Sequence, residues 1–357
     1  MKIALVYDRV NKWGGAERVL LALHEIWPEA PLFTAVYDAH RASWADVFEV
    51  HPSFMQHMPL AKRHHELFPW LTPMAFESFS FDDYDVVLSV TSAEAKNIIT
   101  KPGTVHICYC LTPTRYLWSA KDEYEKSGFA GKVLRALTPM LQRWDLIAAT
   151  RPDYYLAISH RVEHRIKKYY NRNVEKVIYP PVDTKMFQMR NGQSENNYFL
   201  CVSRLVPYKR VDIVIDAFNT LGWNLKIIGS GSSERGLKKR AKHTIEFVGG
   251  DLTDSQLAAY YQRSRAFISA ADEDFGIAAL EAQACGTPVI CPRESGMAET
   301  VIEGKTGELF DTDLLDVLHI FDTKRYDSVL CRMNAEKFSV SRCKKEIQEE
   351  VTRLATL

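Results

Sequence analysis

The sequence has no cysteine pair at metal-ligand or redox spacing, no long apolar run and no excess charge of either sign. Its seven cysteines are odd in number, include no C-x-x-C pair and mostly sit in apolar strand-like runs (Cys108, Cys110, Cys201, Cys291). A disulfide framework and a cysteine zinc site are therefore not expected, and a reducing cytoplasm is the natural compartment. Lys plus Arg and Asp plus Glu both number 45, which argues against a dedicated nucleic-acid binder. Nowhere do about 18 apolar residues follow one another, so no membrane-spanning helix is expected. The apolar run opening at Ile3 is too short for a signal peptide. Internal repeats and low-complexity tracts are also missing.

What is present is a chain of 357 residues, more than one core usually holds, in which short β-rich runs alternate with helical patterns. Strands are predicted at Ile3–Tyr7, 31–37, 84–90, 104–110 and 154–159, the last closing a first sheet. Val177-Ile-Tyr-Pro180-Pro181 is the best boundary, because two prolines stop either sheet from running through it. A polar loop over 191–197 precedes fresh strands at Tyr198–Ser203, Leu225–Ile228, Ile245–Val248, 266–270 and one starting at Val289. A last helix follows from Glu336. The reading is α/β with two Rossmann-like domains, 1–179 and 180–335, and a terminal helix over 336–357.

Open α/β sheets bind ligands at the C-terminal ends of their strands, and the chemistry-bearing residues cluster there. Gly14-Gly15 follows the first strand, and Gly15 lets a ligand approach the backbone or simply makes a tight turn. Thr112 and Arg115 follow the predicted strand 104–110 of the first half, at that sheet's edge. Arg204 and Lys209 project from the loop after Tyr198–Ser203, where a guanidinium fork and an ammonium can both reach a diphosphate. In Glu273-Asp-Phe-Gly-Ile-Ala-Ala-Leu-Glu281, Gly276 marks a strand-to-helix junction. The amides of Phe275, Gly276 and Ile277 would point outward there, flanked by two carboxylates. That mixture of anion-binding amides and hydroxyl-binding carboxylates suits a phosphorylated sugar.

Weaker signals have plainer readings. Gly229-Ser-Gly231 lacks a third glycine, since Glu234 stands in its place, and reads as a tight turn near a ligand and not as a dinucleotide site. His160 and His164 share a helix face that could hold a metal but lacks a third ligand. Asp83-Tyr-Asp85, Asp272-Glu-Asp274 and Asp311-Thr-Asp313 have the Asp-x-Asp form, which chance supplies in a chain with this many carboxylates. Over residues 50–80, apolar bulk from Phe54 to Phe76 sits beside Lys62, Arg63, His64 and His65. That stretch either packs on the first sheet or lies on an anionic membrane surface.

Ser203-Arg-Leu-x-x-x-Lys-Arg210, Glu273-x₇-Glu281 and the early Gly14-Gly15 resemble the retaining glycosyltransferases of the GT-B fold, family 4. The segment Tyr109-Cys-x-Thr-Pro-x-Arg-Tyr-x-Trp118 is similar to bacterial enzymes of O-antigen, capsule and exopolysaccharide synthesis, including mannosyltransferases using GDP-mannose. The resemblance implies two domains facing across a cleft, with Arg204 and Lys209 on the donor diphosphate and Glu273 on the transferred sugar. It further implies Glu281 on the ribose, Val248 and Gly249 bordering the base, and Phe275 to Ile277 supporting the sugar and phosphates. Relatives often carry histidine where this chain has Leu111, and His106 or Arg115 would have to take that role.

The expected partners are a nucleoside-diphosphate sugar and a glycan or lipid-linked glycan acceptor, with peripheral contact to the cytosolic face of the inner membrane and no nucleic acid. No cofactor or essential metal is expected, because the basic pair already supplies the countercharge. A UDP-sugar transferase, a sugar-nucleotide epimerase and a non-catalytic scaffold for a partner glycosyltransferase are the alternatives.

Overall fold

A computed structural model of the chain describes residues 1–64, 68–125, 128–189 and 197–357, without the side chains of 63, 64 and 128–130. His65 of the basic cluster and 191–196 of the polar loop lie outside these described residues. Contacts divide the chain into a first unit, Met1–Tyr179 with Cys343–Leu357, and a second, Pro180–Arg342.

In the first unit the strands are β1 (Ile3–Tyr7), β2 (Leu32–Thr34), β3 (Val50–Pro52), β4 (Val86–Thr91), β5 (Val105–Cys110), β6 (Tyr154–Ala157) and β7 (Lys176–Val177). They form one sheet in the order β3-β2-β1-β4-β5-β6-β7, with every pair parallel. Such a sheet is covered on both faces, and β1 and β4 are buried at every residue. The helices are α1 (Gly15–Ile26), α2 (Ala61–His64), α3 (Thr72–Glu77), α4 (Lys121–Glu125), α5 (Gly128–Ala148) and α6 (His160–Tyr170).

In the second unit, β8 (Tyr198–Val202), β9 (Leu225–Ile228), β10 (Ile245–Gly249), β11 (Ser264–Ile268), β12 (Val289–Pro292) and β13 (Gly307–Phe310) make a parallel sheet in the order β10-β9-β8-β11-β12-β13. Its helices are α7 (Val211–Leu221), α8 (Glu234–Arg240), α9 (Asp254–Arg263), α10 (Ile277–Ala284), α11 (Leu314–Thr323) and α12 (Ser328–Glu336). The final helix, α13 (Val340–Leu354), buries Cys343, Ile347, Val351 and Leu354. Within the first unit its Lys344 pairs with Glu25 of α1 at 2.8 Å.

Three differences from the sequence reading have physical causes. The stretch 154–159 does not close the first sheet, because two-residue β7 pairs beside β6, too short to give a period. The strand expected at 31–37 stops at Thr34, after which only an isolated bridge joins Tyr37 to Val10. The terminal helix starts at Val340, and α12 before it is separate, capped by Asp327 accepting from the Val329 amide at 2.7 Å. In the 50–80 stretch, Met55, Ala61, Ala75 and Phe76 belong to the first unit's core, with Phe68 and Leu71 packed on it.

Candidate functional site

Strand order places the site in the second unit. The chain runs outward from β8 through β9 to β10, then returns to β11 on the other side of β8. The loops after β8 and β11 therefore diverge and leave a crevice at their C-terminal ends, the topological switch point. Lys209 leaves the first of these loops and Glu273 the second, and the Lys209 ammonium donates to the Glu273 carboxylate there. Two residues 64 apart in sequence thus meet at the place where the fold makes a binding crevice.

Each partner is held from behind. The 3-10 turn Pro207–Lys209 ends at Arg210 in the left-handed region, φ 50°, which turns the chain into α7. Tyr208 lies under both cations, 5.7 Å from the Arg204 guanidinium carbon and 5.4 Å from the Lys209 ammonium; its hydroxyl also accepts from Arg204. Lys209 is buried and Arg204 exposed. On the other side, the Glu273 amide donates to the Ser295 hydroxyl at 3.2 Å, and its carbonyl accepts from Gly296 at 2.8 Å. Cys201, one strand-end below, is no nucleophile: burial, and secondarily Glu273, push its thiol up to about 12.

Gly276 is required by geometry. Its φ is +87°, and a Cβ there would lie 2.0 Å from Cγ of Met297. Phe275 is buried against Phe338, with centroids 6.2 Å apart, and Ile277 begins α10. The opening amides of this helix lack the acceptor four residues back that interior amides have and carry the positive end of its dipole, while the Ala279 amide turns to the Gly276 carbonyl at 3.0 Å. Gly276→Ala is expected to cost about 1–3 kcal/mol of stability and to displace the Glu273 loop. Urea unfolding of that variant, set beside the Met297→Ala/Gly276→Ala pair, separates the clash from the φ penalty.

Glu281 lies one turn into α10, buried, and takes the Tyr261 hydroxyl on Oε2 at 3.2 Å. Val248 and Gly249 sit at a bulge where β10 slips register against β9, with Gly249 at φ +106°. Gly229 answers a packing need: a Cβ there would lie 1.9 Å from the Ser203 carbonyl oxygen. Two of the Asp-x-Asp pairs have structural employment. Asp85 accepts from the Lys2 amide at 2.7 Å, and Asp313 caps α11 at the Leu315 amide, 2.8 Å away.

In the first unit the switch point falls between β1 and β4. Gly15 opens α1 after β1, with Gly14 as its N-cap. Asp8 bridges the two strand ends, accepting from the Thr91 hydroxyl (2.8 Å), the Ser92 amide (2.7 Å) and the Ala95 amide (2.9 Å). Buried Glu94 takes the Tyr116 hydroxyl at 2.6 Å. Burial raises its carboxyl above the ordinary range, with Arg9 pulling the other way. Sequence reading missed this cluster because its members are single residues in three separate loops; the polar run Thr91-Ser92 was its only local signal. Thr112 is buried at the same edge, and its hydroxyl has no protein hydrogen-bond partner among the described residues. The Arg115 carbonyl accepts from the Trp118 and Ala120 amides.

His106 is a correction. It lies near the start of β5, fully buried, with Nε2 at 2.8 Å from the Ser89 hydroxyl, and so is remote from the strand end where Leu111 sits. Burial, reinforced by Arg151 and Arg172, pushes its imidazole down to about 3. Since the unfolded chain takes up this proton near pH 6.5 and the folded one does not, stability is full above 6.5 and falls as pH drops toward 3. Between pH 7 and 5 the parent is expected to lose about 2 kcal/mol more than His106→Gln in urea unfolding.

Residues 183–318 match the family model described as glycosyl transferases group 1. An uncharacterized glycosyltransferase of Methanocaldococcus jannaschii is 29% identical over 210 residues, 55% of this chain and 58% of that protein. A GDP-mannose-dependent alpha-(1-6)-phosphatidylinositol monomannoside mannosyltransferase of Mycolicibacterium smegmatis is 31% identical over 168 residues, 39% of this chain and 44% of that protein. The chain thus spans about half the length of these curated relatives. Among solved structures, Anabaena HepE in complex with UDP-glucose superposes with a TM-score of 0.73 at 17% identity, over 99% of this chain and all of that one (100%). A sucrose-phosphate synthase of Thermosynechococcus elongatus gives 0.73 at 16%, over 99% of each chain. These likenesses identify the fold as GT-B.

Proposed function

We propose, starting from a group 1 glycosyl transferase match that spans both Lys209 and Glu273, that this chain transfers a hexose from a nucleoside-diphosphate sugar to a glycan or lipid-linked glycan. The observation that carries the reading is the Lys209–Glu273 pair at the switch point of the second sheet. Breaking the bond between the anomeric carbon and the diphosphate builds negative charge on the leaving phosphate and positive charge on the sugar. Lys209 and Arg204 are assigned to the phosphate, and Glu273 to the sugar ring, where its carboxylate stabilises the cationic transition state. The α10 amides at Phe275 to Ile277 support the sugar and phosphates, Glu281 (oriented by Tyr261) the ribose, and the bulge at Val248–Gly249 the base. Gly15, Thr112 and Arg115 are assigned to the first unit's ligand edge.

GDP-mannose is the preferred donor, after the name of the mycobacterial relative; the UDP-glucose in the Anabaena complex supports a UDP-sugar as the second reading. Retention of anomeric configuration belongs to the same proposal, and NMR of the product linkage tests it. So does a role in bacterial surface polysaccharide synthesis on the cytosolic membrane face. Because the basic pair supplies the countercharge, transfer should survive EDTA; strict dependence on Mg²⁺ or Mn²⁺ would reverse that assignment.

A thermal-shift screen with GDP, UDP, GDP-mannose and UDP-glucose tests the whole reading. A nucleotide at about 100 times its Kd adds about 2.7 kcal/mol to the folded state, a shift of a few degrees. Stabilisation by one base and not the other assigns the donor. No stabilisation by any would indicate a scaffold, and a sugar nucleotide altered without acceptor would indicate an epimerase.

A further inference from the structure

Asp8, Glu17 and Glu94 bring three carboxylates to the switch point of the first unit, and they are not equivalent. Asp8 is fully engaged. Its Oδ1 accepts from the Thr91 hydroxyl (2.8 Å) and the Ala95 amide (2.9 Å), and its Oδ2 from the Ser92 amide (2.7 Å) and hydroxyl (3.0 Å). It ties the ends of β1 and β4 together and has no strong acceptor site left for a ligand. Glu17 sits in the first turn of α1, buried, with Oε1 on the hydroxyl of Tyr7 in β1 at 2.7 Å. Both carboxylates serve the fold.

Glu94 is different. Its carbonyl accepts from the Asn97 amide at 2.9 Å and the Asn97 carboxamide at 2.8 Å, which fixes the backbone that carries it. Among the described residues one hydrogen bond reaches its carboxyl group, from the Tyr116 hydroxyl to Oε1 at 2.6 Å. Burial, and after it Glu94, hold the Tyr116 phenol well above its ordinary range, so Tyr116 stays the donor. The second oxygen, Oε2, takes no bond from the described residues, yet Glu94 is 6% exposed. A buried carboxylate held from one side in this way calls for a further donor.

Thr112 points the same way independently. The Leu111 amide donates to the Thr91 carbonyl at 2.8 Å, and the Thr114 hydroxyl to the Ala93 carbonyl at 3.1 Å. Residues 111–114 therefore run beside 91–93. Between the two tethers Thr112 is 4% exposed, and its hydroxyl has no protein hydrogen-bond partner among the described residues. An oxygen that needs a donor and a hydroxyl that needs a partner thus share one strand-end edge. Sugar hydroxyls both give and accept hydrogen bonds and answer both needs. An ionised phosphate has no proton to give Glu94 and is repelled by its charge and that of Asp8.

We propose that Glu94 binds a hydroxyl of the acceptor, held in place by Tyr116, and that the acceptor is an uncharged sugar where it meets the first unit. This rests on the sugar-transfer reading and names the acceptor chemistry that reading leaves open. Glu94 selects for a neutral polyol and against a phosphorylated one, and Tyr116 is its positioning residue.

The test reads binding to the full chain by saturation-transfer NMR, without donor. The probes are the methyl α-glycosides of mannose, glucose and galactose, each set beside its 6-phosphate. At least one methyl glycoside is expected to bind, and its 6-phosphate about tenfold more weakly or worse. Glu94→Gln should weaken the neutral probe about tenfold and shrink its advantage over the phosphate. Tyr116→Phe, which keeps the carboxylate, should weaken it about threefold with the discrimination retained. A structural role alone would not move that discrimination, and circular dichroism with melting checks that both variants are folded. Absence of binding by every methyl glycoside overturns the proposal. So does parent-like binding and discrimination in Glu94→Gln, or a 6-phosphate that binds the parent as tightly as its neutral partner. The nucleotide thermal shift of the parent reports the second unit, so its persistence alongside such a result would sink the role of Glu94 and leave the donor reading standing.

Discussion

Replacing Lys209 with methionine is expected to lower the rate of sugar transfer by about two to three orders of magnitude, the loss typical when a preorganised charge aimed at a developing anion is removed. Without ligand, the ammonium is neutralised by Glu273, so the crevice presents a closed pair. A donor diphosphate competes for that ammonium, which frees the carboxylate for the sugar. Methionine leaves Glu273 negative beside an incoming anion, so nucleotide affinity falls together with rate. Glu273→Gln separates the two effects: calorimetry should show the nucleotide bound as tightly or more tightly, while turnover drops sharply. The Glu273 side chain is 21% exposed and that of Lys209 10%, so either change leaves a largely buried charge without its partner and is expected to cost some stability, about 1–3 kcal/mol. A rate loss measured well below each variant's own melting temperature therefore reports chemistry. Transfer at full speed in Lys209→Met would remove the basis of the proposed function.

Most of this crevice is legible in the sequence, because its parts are local. A buried strand followed by Arg204-Leu-Val-Pro-Tyr-Lys209, and another followed by Glu273-Asp-Phe-Gly276, are each readable as strand-end loops from apolar runs and turn residues alone. Their meeting is not: it depends on the order β8-β11, a long-range fact that no periodicity contains. Tyr208 escaped for a related reason, since an aromatic beside two cations signals nothing until the loop curls its ring beneath them. The same holds for Ser295, 22 residues from Glu273, and its neighbour Gly296, which together clamp the Glu273 backbone. His106 shows the opposite failure. A histidine in an apolar run reads equally well as a catalytic group or as a neutral core residue, and only its place at the start of β5 decides. The stretch 119–153 carries no assignment in the sequence reading because Pro139 interrupts it and its exposed face is nearly as apolar as its buried one, which flattens the helical period.

Lys96→Met is the change expected to cost the most stability, about 3–5 kcal/mol, because it strands a buried carboxylate. Lys96 is 1% exposed and its ammonium donates to the Ala93 carbonyl (2.6 Å), the Thr114 hydroxyl (3.0 Å) and Asp145 (2.6 Å). Asp145 also accepts from Thr114 at 2.7 Å and from the Trp118 indole at 2.7 Å, so every strong donor and acceptor in the cluster is matched. Methionine keeps the volume and the stem but leaves a charge that burial does not tolerate. The double variant Lys96→Met/Asp145→Leu should be less destabilised than Lys96→Met alone, since the isolated charge is gone, the Thr114 hydroxyl still donates to the Ala93 carbonyl at 3.1 Å, and the Trp118 indole is left without its acceptor. Urea denaturation of both singles and the double measures this coupling. The consequence reaches function through the chain after β5: Thr114 and Trp118 are the points that pin the loop bearing Thr112 and Arg115. Releasing them should loosen that loop before the unit unfolds, seen as faster amide exchange across 111–118 in Lys96→Met. Equal protection of this loop in parent and variant would separate the cluster's stabilising role from any part in positioning Thr112 and Arg115.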